Sequence, residues 1–254
     1  MRNTTCLLFI LVSLTITLKN VHAQGPPIFT DSPYLLGLDG GGIRTFGKYI
    51  STGNGQTYSQ PLIVPYNVTT NYQIGGVQPF IIQFPDNGSS KSGFGNFTLF
   101  GKYSVIQIDG KAKTFRALMK FSQTFSTGAS NISVDTNVSQ LEFVIGYITT
   151  KYGIYGTVGY TFVSNDFPDN LIYNFAFGYP LLPQKYPPFQ LNLFIELNGT
   201  HTLDIENNLL FVSSGIQIIT SSIFLIESGV QIPVVDDRSA TKFTYAIGMR
   251  YLIF

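Results

Sequence analysis

Between residues 189 and 203 the sequence FQLNLFIELNGTHTL alternates between apolar and polar side chains. Phe189, Leu191, Leu193, Ile195 and Leu197 fall on one side, and Gln190, Asn192, Glu196, Asn198 and Thr200 on the other. Only an extended strand, with its period of two, separates those sets. The alternation returns at 241–253, where Phe243, Tyr245, Ile247, Met249 and Tyr251 oppose Lys242, Thr244, Ala246, Gly248 and Arg250. After the amino-terminal segment, no apolar run reaches the roughly 18 residues of a membrane helix. The constraint is therefore a β-structure with two chemically different faces.

Extending the pattern outward gives twelve candidate strands, near 40–51, 61–68, 71–84, 94–107, 114–126, 135–149, 152–165, 170–182, 189–203, 209–220, 223–235 and 241–254. Their lengths suit strands that cross a bilayer at a tilt, and their number is even. Compact links at Thr69-Thr70, Asp109-Gly110-Lys111, Thr150-Lys151, 183–188 and Ser221-Ser222 alternate with polar loops at 52–60, 85–93, 127–134, 166–169, 204–208 and 236–240. Tight turns at one end, polar loops at the other and both termini on the turn side form the pattern of an all-β transmembrane antiparallel barrel. A soluble sandwich also spaces short strands evenly, but its outward face would be charged. Here only 11% of residues are charged, against roughly 25% in an ordinary soluble domain. The 15 tyrosines and 22 phenylalanines, with a net charge of +1, exclude a disordered chain and supply no basic footprint for nucleic acid.

The first residues read as a leader. Arg2 precedes the apolar run Leu7–Leu18, and Val21-His22-Ala23 resembles a cleavage site. The expected division is a signal peptide at 1–23, a periplasmic amino-terminal segment at 24–38 and an outer-membrane barrel at 39–254. Cleavage would leave thirteen basic and fourteen acidic residues, His201 as the single histidine and no cysteine.

With the apolar set assigned to lipid, the charges on the strands fall on the lumen side: Lys102, Arg116, Lys120, Glu142, Glu196, Glu227, Lys242 and Arg250. Lipid-facing positions would cost roughly 2–4 kcal/mol for each Lys or Arg near the midplane. Lys102, Arg116, Lys120 and Glu142 come from three successive strands, and the other four from the last four strands. Such clusters either cross-link a narrow barrel or form a constriction that selects solutes; one network can do both, and Glu227 is expected to pair with Arg250. Tyr103, Tyr147, Tyr173, Phe175, Phe177, Tyr179 and Tyr251 fit the outward side, several of them at the height of an aromatic girdle. Catalysis finds little support. His201 is followed two positions later by Leu203, so the His-x-Ser arrangement of a barrel phospholipase is missing. No metal-ligand spacing or nucleotide-binding glycine pattern occurs, and no cofactor is expected.

The stretch Gly93-Phe94-Gly95-Asn96-Phe97-Thr98-Leu99-Phe100-Gly101-Lys102-Tyr103 resembles the GxGDxTLxxKY segment of a bacterial outer-membrane transporter family, labelled for the meta-pathway of phenol degradation. Similarity continues at Lys113–Arg116, Phe125–Gly128 and Tyr155–Phe162. In the carboxyl third it includes Glu196–Gly199, Gly215–Gln217, Glu227–Val234 and Gly248–Tyr251. Asn96 stands where the family usually has Asp, and the final Tyr251-Leu252-Ile253-Phe254 departs from the usual Tyr-x-Phe ending. The resemblance implies an outer-membrane barrel that passes small molecules, hydrophobic or aromatic ones among them, and supplies no catalytic residues. The expected partners are outer-membrane lipid, a small-molecule solute and the barrel-assembly machinery, the last through Phe254. The alternative is a closed barrel with a structural or surface-interaction role, its lumen filled by the charge clusters and residues 24–38.

Overall fold

The computed structural model describes residues 25–165, 167–182, 189–203, 205, 207–236 and 241–253. The expected leader, the 183–188 link and Phe254 lie outside the described residues. Among these there is no helix and there are thirteen strands. They are β1 (Gly41–Thr52), β2 (Gly55–Asn67), β3 (Tyr72–Pro85), β4 (Lys91–Phe94), β5 (Phe97–Gly110), β6 (Lys113–Phe125), β7 (Val138–Thr149), β8 (Gly153–Val163), β9 (Asn170–Pro180), β10 (Gln190–Thr202), β11 (Asn207–Ile219), β12 (Phe224–Asp236) and β13 (Thr241–Ile253).

Each strand pairs antiparallel with its neighbours, and β1 closes the sheet by pairing with both β2 and β13. The short β4 pairs with Phe80–Gln83, and β5 with Tyr72–Val77, so both lie beside β3. They fill one place in the wall, interrupted at Gly95-Asn96. The result is a closed barrel of twelve staves. The end carrying Gly41 and Ile253 is called the terminal end below, and the opposite end the distal end.

Two differences from the sequence reading have local causes. Residues 55–60, expected in a polar loop, belong to β2; the chain reverses at Gly53-Asn54, and Gly55 takes a φ of 138°. Polar Gln56, Ser59 and Gln60 hide the alternation there. Pro61 and Pro65 then lie inside a strand that has neighbours on both sides, where a missing N–H normally excludes proline. The β1–β2 ladder accommodates them by omitting the pairs they would join, so Gly42, Ile43, Phe46 and Gly47 have no ladder partner in β2. The second difference is β4, which lies in a stretch expected to be loop.

The barrel is inside-out relative to a soluble protein. Large apolar side chains stand on the outer wall, with Leu99 50% exposed, Val158 56% and Ile247 52%. The interior holds Asn67, Gln73, Asn192, Gln217, Glu196 and Glu227, all buried. A soluble fold would invert this distribution, and an apolar surface of this extent needs a non-aqueous surrounding.

A closed ladder leaves no edge strand from which unfolding can start. The folded protein is therefore expected to migrate differently on a detergent gel before and after boiling. Identical mobility in both lanes would contradict the closed barrel.

Candidate functional site: a plugged lumen

The segment read from the sequence as periplasmic lies inside the barrel. It leaves β1 at the terminal end, where Asn67 on β2 donates its side-chain amide to the Leu36 carbonyl. Near mid-height it crosses the lumen, between Lys102 and Lys120 on one wall and Glu196 on the other. It then returns toward the β8 and β11 walls, where Tyr155 donates to the Gly25 carbonyl at 2.9 Å and Gln217 to the Pro26 carbonyl at 2.9 Å. The segment supplies partners to inward groups that would otherwise be buried without any.

Its backbone is held by acidic and basic side chains. The Glu196 carboxylate accepts the N–H groups of Ile28 at 2.8 Å, Phe29 at 3.1 Å and Thr30 at 2.6 Å. Two guanidinium groups take the carbonyls: Arg250 donates to Pro27 at 2.7 Å and Arg44 to Ile28 at 2.8 Å. Both arginines are fixed by the buried carboxylate of Glu227, at 2.9 Å from Arg44 and 2.7 Å from Arg250. Charge-assisted bonds of this kind are about twice as strong as neutral ones.

A side-chain latch adds to this. Asp31 forms ion pairs with Lys102 at 2.6 Å and Lys120 at 3.0 Å, and Lys120 also reaches Glu142 at 2.7 Å. Burial works against ionising Asp31, but the two ammonium groups outweigh it and hold the carboxyl well below the usual range. A depressed carboxyl contributes stability above its unfolded pKa of about 3.9 and loses it only as pH falls toward the folded value. The latch is therefore closed at neutral pH.

Apolar packing completes the seat. Ile28 lies against Tyr155, Ala176 and Phe194, with Phe29, Tyr34 and Ile148 packed around them. Two inward glycines make room: a side chain on Gly215 would strike Ile28, and one on Gly229 would come within 2.8 Å of the Phe29 ring. Beside the segment, toward β2, β3, β5 and β6, a cavity of about 750 Å³ remains, with Phe29, Tyr34, Ile63, Val77 and Phe100 among its lining.

The eight charges read from the sequence distribute as follows. Lys102, Lys120 and Glu142 meet at Asp31, whereas Arg116 lies nearer the terminal end, paired with Asp109 at 3.0 Å and positioned over the Tyr34 ring. Glu227 and Arg250 meet each other, Glu196 meets the segment, and Lys242 is exposed near the distal end of β13. Asp31 and Arg44 escaped the sequence reading because both lie where alternation gives no signal. Phe194 carried a usable one, since it breaks the polar face of residues 190–200. His201 faces Asn208 across β10 and β11, with 2.8 Å between Nδ1 and Oδ1.

No family model matches the sequence. No curated protein matches it. The fold resembles that of an outer membrane channel from Pseudomonas putida F1, with 11% identity and a TM-score of 0.66 over 89% of this chain and all of that one. It also resembles the KdgM porin in complex with disordered oligogalacturonate (9% identity, TM-score 0.57, 82% of this chain and 98% of that one). A third likeness is to the β domain of the Bordetella autotransporter BrkA, at 10% identity and a TM-score of 0.53 over 84% of this chain and 99% of that one. At these identities the likeness is one of fold.

Removing one member of a buried charge network leaves its partners uncompensated, at a cost of about 3–5 kcal/mol. Glu227→Ala strands both Arg44 and Arg250 and should lower the unfolding temperature of the barrel clearly. An unchanged transition would contradict the network.

Proposed function

We propose that the protein is a bacterial outer-membrane channel or passive transporter for small molecules, gated by its own amino-terminal segment. The observation that carries this reading is the plug itself. A chain segment is held across the lumen by ion pairs and hydrogen bonds, which water and solutes can replace, beside a cavity large enough for a small solute. The apolar outer wall suits a bilayer, and the neighbours of like fold include a channel and a porin. The aromatic and aliphatic part of the cavity lining, which also carries Arg44, Lys102, Lys120 and Glu142, together with the sequence resemblance to the phenol meta-pathway family, favours hydrophobic or aromatic cargo. Within this reading, outer-membrane lipid surrounds the wall and Phe254 addresses the chain to the assembly machinery.

One observation favours a second reading. The plug makes enough polar contacts to hold a permanently closed barrel with a structural or surface-interaction role. Planar-bilayer recording of the full chain separates the two. The channel reading expects small steps from the native protein and larger, longer ones from the Asp31→Asn/Glu196→Gln double variant. Silence from both proteins, each shown to be folded by its gel mobility, would contradict the channel and leave the closed barrel.

A further inference from the structure

Away from the distal rim, where Lys91 and Lys242 are exposed, the inward charges of the strands pair off among the described residues with one exception. Asp31 takes Lys102 and Lys120, Glu142 takes Lys120, Glu227 takes Arg44 and Arg250, Asp109 takes Arg116, and Glu196 is engaged by backbone N–H groups. Lys48 has none of these. It lies on the inner side of β1, with Ala246 of β13 and Ser59 of β2 opposite it in the ladders. Arg44, on the same strand face, is already committed to Glu227, and Glu196 is already committed to the plug. Among the described residues its ammonium has no ion pair or hydrogen bond and lies 5.0 Å from the centroid of the Phe46 ring, with the Arg44 guanidinium 4.7 Å from the same ring. Phe46 and Ile50, two positions to either side on the same strand, give it apolar inner-face neighbours.

An unpaired cation in a narrow, low-dielectric lumen attracts a counter-anion. A single lysine supplies one charge, which a monovalent head balances. The apolar side chains next to it match an organic body. We infer that Lys48 is a binding station for a small organic carboxylate, the acidic group held by the ammonium and the apolar body lying against Phe46 and Ile50. The station deepens the channel reading on which it rests by giving the cargo a charge. Its occupation involves no covalent step.

Binding is measured by calorimetry on the refolded full chain in neutral detergent, so that the result does not depend on conductance. The probes are benzoate, acetate and phenol. Benzoate is expected to bind, acetate and phenol to bind much more weakly, and Lys48→Gln to weaken benzoate by about tenfold or more while Lys48→Arg retains it. Benzoate affinity in the native protein should also fall with rising salt, which tests the charge even if Lys48→Gln does not fold. Equal binding of benzoate to the native protein and Lys48→Gln, or affinity independent of salt, would overturn the inference, as would phenol binding as well as benzoate. A silent bilayer with intact, Lys48-dependent benzoate binding would remove the channel and leave the station.

Discussion

The Glu196 carboxylate beneath three peptide N–H groups is the contact on which the interior depends. A backbone carried into a barrel leaves water behind, and each of its polar groups needs a partner there. Glu196 answers the N–H groups of Ile28, Phe29 and Thr30, and Arg250 and Arg44 answer the carbonyls of Pro27 and Ile28. Glu227 in turn answers both arginines. Acid and base therefore alternate around a few peptide groups, and none of these charges can be removed without exposing another.

The wall is shaped to receive that segment. Gly215 and Gly229 give up their side chains where Ile28 and Phe29 press in, and Tyr155, Ala176 and Phe194 place an apolar patch against Ile28. Apolar filler of equal volume could be as stable as a buried ion network, since desolvation offsets much of the Coulomb gain. The polar solution differs in another respect. Its bonds can be exchanged for water or solute, so a segment held this way is releasable, and this is what links the architecture to the proposed gating.

The fold was legible in the sequence because an inside-out barrel writes its two faces at period two, and residues 189–203 and 241–253 show that period clearly. The interior was only half legible. Glu227 and Arg250 lie on strands whose alternation is clean, and phase alone put them on the same side. Arg44 follows three glycines that blur the phase of β1, and Asp31 lies in a segment with no period at all. Neither could be placed before the chain path was known. Phe194 was the readable sign that something apolar fills the lumen. Asn96 fastens a distal loop by accepting the Gly128 N–H at 2.9 Å and donating to the Val134 carbonyl at 3.2 Å.

Hydrogen exchange at the amides of Ile28, Phe29 and Thr30 in the folded barrel tests the central contact most directly. If Glu196 holds the plug, these three amides are protected to the level of neighbouring strand amides in the native protein, and Glu196→Ala exposes them while β10 and β11 remain protected. Rapid exchange of the three amides in the native protein would contradict the account, because the segment would then not be seated in the lumen.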